Sequence, residues 1–294
     1  MLRPVTDWGR LQTDLWGTVT WWTAGIMFVV FAALLYIIIR FRGRPDDPTP
    51  KPVYGHTGLE IAWTIGPAII ILLIAIPSIQ GIFATAQEPP EDALVVEAIG
   101  HQWWWEFHYP EYEVTTANQF YIPAGRTIDL QLRSADVIHS FWIPRFGGKR
   151  DVNPVVATPE GVEPMHLNRI VVSIDSAGDY LGQCAEYCGT SHAIMRMMAR
   201  VVDVEDFGRW VEDMKNPMEP VGELEQRGRE IFLSSTCIAC HTIEGTSAQG
   251  QLGPNLTLMG ERFTIGAGLM DNNEENLTEW ILRAPEVKHG ALMP

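Results

Sequence analysis

Cysteine is scarce in this chain: four residues among 294, at positions 184, 188, 237 and 240. All four fall within two short metal-ligand motifs, so none remains for a disulfide framework. Basic side chains are also few. The 21 Lys and Arg stand against 36 Asp and Glu, a formal net charge of −15. That balance disfavours nucleic acid and leaves either a solvated acidic exterior or a basic protein partner. No internal repeat and no low-complexity tail interrupts the chain. No set of residues has the makings of a general acid, a nucleophile or an oxygen-binding metal site, so no catalytic residue is expected on this chain.

Charge is missing altogether from two long runs. Trp16 to Ile39 is 24 residues without a charged side chain, about 36 Å of helix and enough to cross a hydrocarbon core of roughly 30 Å with some tilt. Ile61 to Gln87 is the second, with Pro67 and Pro77 expected to kink it. The first run is too long for the apolar part of a signal peptide and no small-residue cleavage site follows it. Arg40, Arg42, Arg44 and Lys51 lie between the spans, diluted by Asp46 and Asp47, whereas the N-terminal flank sets Arg3 and Arg10 against Asp7 and Asp14. The positive-inside rule puts the connecting loop in the cytoplasm and both termini outside.

After Glu88-Pro-Pro-Glu-Asp the pattern changes. Six short β-rich runs are expected: Leu94–Ile99, Trp103–Tyr109, Ile128–Arg133, Val137–Ile143, Ile170–Ile174 and Met197–Val204, separated by Gly, Pro and Asp clusters. That punctuation indicates a sandwich or barrel. A short helix is expected over 206–215, a linker over 216–222, and helices over 223–234 and 276–284. The domains are therefore a two-helix transmembrane hairpin over 1–90, an all-β domain over 91–215 and a small all-α domain over 216–294.

What is present, at high density, is soft metal ligands. Within twelve residues the segment G-Q-C-A-E-Y-C-G-T-S-H-A-I-M sets out Cys184, Cys188, His192 and Met195. Two thiolates, an imidazole and a thioether suit copper. A single zinc would accept Cys and His without needing the Met, and a Cys184–Cys188 disulfide would leave His192 and Met195 unexplained. Gly182, Gly189 and Thr190 favour a loop between strands, and His139 at a strand end is the candidate for a further ligand. The second motif, Cys237-Ile-Ala-Cys240-His241, reads as c-type haem attachment. Haem c is attached outside the cytoplasm, in agreement with the charge-based topology. Two redox centres on one chain point to electron transfer.

The strings V-I-H-S-F-W-I-P, G-G-K-R-D-V-N-P, G-H-Q-W-W-W-E-F and L-E-I-A-W-T-I-G-P, with the Cys184–Met195 motif and the hairpin, resemble subunit II of haem–copper cytochrome c oxidases over nearly all of residues 15–205. The resemblance implies a cupredoxin-like barrel holding a binuclear copper A centre. Cys184 and Cys188 would bridge both coppers, His139 and Met195 would complete one, and His192 with the Glu186 carbonyl the other. The Glu186 carboxylate would reach a magnesium ion shared with subunit I. Trp103 matches the tryptophan through which the family accepts electrons, and Glu60 matches a glutamate near the mouth of a proton path. Trp104 and Trp105 read as packed or interfacial aromatics, and His101, His108 and His166 as ordinary histidines.

The C-terminal segment resembles a monohaem cytochrome c domain. Cys237 and Cys240 would form thioethers, His241 would be the proximal ligand oriented by the Pro254 carbonyl, and Met293 the distal one. Met259 and Met270 are rivals, but neither is followed by Pro. Such domains continue past the ligand Met into a further helix, so this one is expected to lack its C-terminal helix. The implied function is electron entry to a proton-pumping terminal oxidase of a bacterial inner membrane, from haem c to copper A to the haem of subunit I. The implied partners are subunits I and III, membrane lipid, and either cytochrome c or a quinol-oxidising complex as donor, without nucleic acid. A free-standing membrane-anchored electron carrier is the alternative, in which Glu60 and Glu186 have no purpose.

Overall fold

The computed structural model describes residues 3–43, 47–49, 51–154 and 167–294. Arg44, Asp46 and His166 lie outside the described residues. The chain divides into two compact units, Arg10–Gln87 and Met1–Gly9 with Glu88–Pro294.

In the first unit, helices α1 (Asp7–Arg40) and α2 (Thr57–Thr85) are 34 and 29 residues long. Both are long and apolar enough to cross a membrane, and none of their most apolar window is buried within the protein. That is the pattern of a lipid-facing rather than a core helix. α2 continues as one helix through Pro67 and Pro77, so neither proline ends it. Gly81 lets the helices approach: a Cβ there would stand 3.0 Å from Leu11 Cδ2.

The second unit is built on two five-stranded sheets. One has the order β3–β2–β1–β5–β8, the other β4–β10–β9–β6–β7. Their strands are β1 (Leu94–His101), β2 (Trp104–Tyr109), β3 (Val114–Ala117), β4 (Gln119–Pro123), β5 (Thr127–Ser134), β6 (His139–Trp142), β7 (Arg150–Val152), β8 (Asn168–Ser173), β9 (Gly178–Cys184) and β10 (Arg196–Val202). β1 pairs with β5, and β4 with β10, in parallel; the remaining pairs are antiparallel. Alternate residues face inward, so Val96, Phe107, Ile128, Leu130, Phe141 and Ala199 meet in one core. The residues before α1 join this unit: Val5 N donates to Arg145 O (3.0 Å) and Thr6 Oγ1 to Phe146 O (2.5 Å).

Each of the six expected strands is found, together with β3, β4, β7 and β9, which are short or glycine-bearing. Helix α3 (Val204–Lys215) closes the barrel with Phe207, Trp210, Val211 and Met214 buried. Trp210 stacks on Tyr121 at 4.6 Å, and full burial of each such side chain contributes about 1.5–3 kcal/mol. Beyond it come α4 (Glu223–Ser234), a small ladder of β11 (Thr264–Ile265) and β12 (Met270–Asp271), and α5 (Glu274–Val287). α5 is bent at Arg283, φ −145°, two residues before Pro285. A proline removes a backbone donor and crowds the turn before it, and the helix expected to end at Ala284 continues beyond the bend to Val287.

Candidate metal centres

The copper-type site lies on the β9–β10 loop. β6 pairs with β9 so that Phe141 faces Cys184, and this register carries His139 to the loop. His139, Cys184 and Cys188 are buried, with ligand atoms all within 4.8 Å of one another. Cys184 Sγ is 3.8 Å from Cys188 Sγ, nearly twice a disulfide bond, and both cysteines are free. Around this pair lie His139 Nδ1 (3.9 Å from Cys184 Sγ), the Glu186 carbonyl (3.2 Å from Cys184 Sγ), His192 Nδ1 (3.6 Å from Cys188 Sγ) and Met195 Sδ (3.8 Å from Cys188 Sγ). All six donors expected from the sequence thus converge, with soft sulfurs at the middle. Six donors exceed the four that a structural zinc takes, and the residues fit a copper centre.

Electrostatics prepare the sulfurs. Cys184 is held at about 3, chiefly by hydrogen bonding from Cys188 and further by His139 and the backbone of Glu186 and Ser140, against the opposing effect of burial. Cys188 is raised, because it shares its proton with Cys184 and is itself desolvated. Burial acts to lower His139, but its hydrogen bonds to Cys184 and Asp136 outweigh that and raise it.

Sequence reasoning missed the supports. Asp136 Oδ1 bonds His139 Nε2 at 2.8 Å, fixing the ring so that Nδ1 faces the sulfurs. The same carboxylate accepts from Gln102 N (2.6 Å) and Val137 N (2.6 Å). Gly100 is needed beside the ring: a Cβ would stand 2.7 Å from His139 Cδ2. Gly189 has φ +117°, and its Cβ would stand 3.0 Å from Trp103 Cζ2. The only available signal was proximity to the motif residues, which does not tell a support from a spacer.

Trp103 touches the site directly. Its Nε1 donates to Cys188 O at 3.0 Å, and Gln102 Nε2 donates to the same carbonyl at 2.8 Å. Trp105 is fully buried in the core, and Trp104 stacks on His101 at 4.1 Å. His108 bonds Thr115 at 3.0 Å. The Glu186 carboxylate is exposed and pairs with Lys149 at 3.1 Å, which raises the lysine's pKa. Glu60 belongs to the first unit. Its Oε1 accepts from His56 N (3.1 Å) while His56 Nδ1 accepts from Leu59 N (3.3 Å), a reciprocal cap of α2.

The haem motif follows α4. Cys237 is exposed and Cys240 half-buried, both free. His241 Nδ1 meets the Pro254 carbonyl at 2.8 Å, which leaves Nε2 for iron. Glycine makes the cradle: a Cβ on Gly253 would stand 2.7 Å from His241 Cε1, and one on Gly250 2.5 Å from the Ala239 carbonyl carbon. Leu224 and Ile231 of α4, Leu252, Leu282 and Leu292 are exposed, apolar side chains of the kind a porphyrin would cover. Met293 is half-buried near the chain end. These residues fit a haem.

Residues 113–202 match the family domain described as cytochrome C oxidase subunit II, periplasmic domain; residues 12–80 match its transmembrane domain, and residues 225–290 match cytochrome c. Over 276 residues the chain is 37% identical to cytochrome c oxidase subunit 2 of Alkalihalophilus pseudofirmus, covering 92% of this chain and 77% of that one. The chain belongs to the cytochrome c oxidase subunit II family. Subunit 2 of Bacillus subtilis is 34% identical over 278 residues, 88% of this chain and 75% of that one. The crystallised periplasmic domain of subunit II from Bradyrhizobium japonicum is 30% identical over 45% of this chain and all of that one, with a TM-score of 0.39. As a subunit II the chain is a membrane-anchored part of a haem–copper oxidase, with subunit I as its partner and copper and haem as its cofactors. Its role is electron entry rather than free-standing electron carriage.

Proposed function

We propose that this subunit carries a binuclear copper A centre over residues 91–215 and one covalently attached haem c over 216–294, both outside the cytoplasmic membrane of a bacterium, anchored by the hairpin of 1–90 in lipid. These residues would hold two redox groups that, when bound, would supply single-electron transfer from an external donor to the haem of subunit I, for oxygen reduction coupled to proton pumping. The donor is cytochrome c or a quinol-oxidising complex, and subunit III completes the assembly.

One observation carries the reading: two unpaired thiols 3.8 Å apart at the centre of four further donors. Cys184 and Cys188 would hold both coppers, His139 and Met195 would hold one, and His192 with the Glu186 carbonyl the other. Two shared thiolates would spread one electron's change over both metals, and the weak thioether and carbonyl would leave the potential adjustable. Trp103 is the electron-entry residue, supported by its bond to the Cys188 carbonyl. The exposed Glu186 carboxylate would hold a magnesium ion shared with subunit I. Cys237, Cys240, His241 and Met293 hold the haem, with Pro254 orienting His241. Glu60 serves the proton-path entrance in addition to capping α2. The bonds of Val5 and Thr6 to Arg145 and Phe146 support a hairpin whose start and finish lie on one side of the membrane, and the charge of the connecting loop makes that side the outer one.

The test is Cys188→Ser in the purified oxidase. The mixed-valence copper signal is lost and the haem α-band stays. Intact copper binding in that variant, or zinc or a cystine in the unaltered protein, overturns the ligand assignment.

A further inference from the structure

Lys288 is 4% exposed although its side chain ends in an amino group. Its ammonium donates to three backbone carbonyls: Trp103 O at 2.6 Å, Gly266 O at 2.8 Å and Ile194 O at 3.0 Å. Trp103 and Ile194 belong to the copper-bearing barrel, and Gly266 to the segment after the haem motif. Burial pushes Lys288 down to about 7, with the nearby Cys188 acting the other way; the three carbonyls meet all three of the ammonium's donors.

The next two residues extend the same contact. His289 O accepts from Ser191 Oγ at 2.6 Å. Gly290, φ +86°, lies against the indole of Trp103, where a Cβ would stand 2.3 Å from Cζ3 and 2.5 Å from Cη2. The other edge of that indole donates to Cys188 O. The segment 288–290 therefore spans from the haem domain to Trp103, and Trp103 spans to a copper ligand. Most interdomain contacts would serve to hold two domains together. This one converges on the carbonyl and ring of a single tryptophan.

We propose that Lys288 is a positioning residue for electron entry, holding the segment 288–290 on Trp103 so that the haem domain occupies the entry surface of the copper site. The proposal rests on the copper and haem reading above. Only an ammonium offers three donors from one atom to three carbonyls, and removing it takes this hydrogen bond from each of them. A soluble haem protein approaching from outside then meets the haem domain first, because the face of Trp103 is already covered by Gly290.

The test uses the whole purified oxidase with Lys288→Met and, separately, Gly290→Ala, which pushes the segment off the indole while leaving Lys288 in place. Two quantities are read. Hydroxyl-radical labelling of Trp103 rises severalfold in both variants. Electron transfer from haem c to copper, followed after rapid reduction of the haem, slows by about tenfold or more, the scale of loss that small misplacements bring. The copper signal and the haem α-band stay as in the unaltered oxidase, and direct reduction of copper by an added soluble monohaem cytochrome appears. A loss of packing alone would not open that second route. Unchanged labelling and an unchanged rate in both variants overturn the role of Lys288 while leaving the metal sites standing. An unaltered oxidase without the copper signal or the α-band overturns the earlier reading and this one with it.

Discussion

Replacing Asp136 by Ala isolates the support of the copper site from its ligands. The carboxylate has three partners: His139 Nε2 at 2.8 Å, Val137 N at 2.6 Å and Gln102 N at 2.6 Å. A hydrogen bond to a charged group is worth about 1.5–3 kcal/mol. The Asp136 side chain is 31% exposed, so solvent screening brings each bond to the lower end of that range. Only the bond to His139 acts on the metal, since it fixes the ring whose Nδ1 faces Cys184. Losing such a support lowers metal affinity by about 10- to 100-fold. With screening, the expected loss is about tenfold, or 1.4 kcal/mol. Of the other two, the bond to Gln102 N holds the turn that carries Trp103, so the copper spectrum shifts as well as the affinity. Competition with a copper chelator in purified oxidase measures the affinity, and the haem α-band serves as the internal standard. An affinity within about twofold of the unaltered protein, with an unshifted copper spectrum, refutes the claim that Asp136 holds His139.

Trp210→Ala should lower stability by about 3–5 kcal/mol, because Trp210 is 6% exposed and stacks on Tyr121; thermal unfolding of the oxidase reads it, and a shift no larger than that of a surface substitution counts against α3 as part of the barrel core. Gly189→Ala should move the Trp103 indole, since φ is +117° and the new Cβ has 3.0 Å to Cζ2; quenching of tryptophan fluorescence by copper is the readout, and unchanged quenching argues against the contact. Met293→Leu should lower the haem midpoint potential, Met/His ligation being the high-potential arrangement. Met259→Leu and Met270→Leu should leave it in place, and a redox titration separates the three. Stripping copper with a chelator should lower the unfolding temperature, because a ligand at 1,000 times its dissociation constant contributes about 4 kcal/mol; an unmoved transition would show that the site is rigid without metal and contributes nothing to folding.

Much of the protein was legible from local pattern. The two spans follow from uninterrupted apolar runs, and α4 was found at its expected limits, Glu223–Ser234. β9 escaped because Gly178 and Gly182 break its β-rich composition. Gly182 is nonetheless required, since a Cβ there would stand 2.6 Å from Ile143 Cγ1. β4 escaped because all five of its residues are buried, so it carries no alternation of polar and apolar positions.

The sequence by itself determined which atoms could bind metal, because ligand chemistry belongs to side chains and the motif spacing is local. It also determined that the chain is anchored, because apolar length is additive along a helix. Only the tertiary structure decided that His139, 45 residues before Cys184, stands 3.9 Å from it, since that depends on the register of β6 against β9. Only the tertiary structure decided that Asp136 serves His139 and Gln102 together, and that Lys288, 185 residues after Trp103, grips its carbonyl. Such contacts join residues far apart in the chain, and neither partner carries a mark of the other.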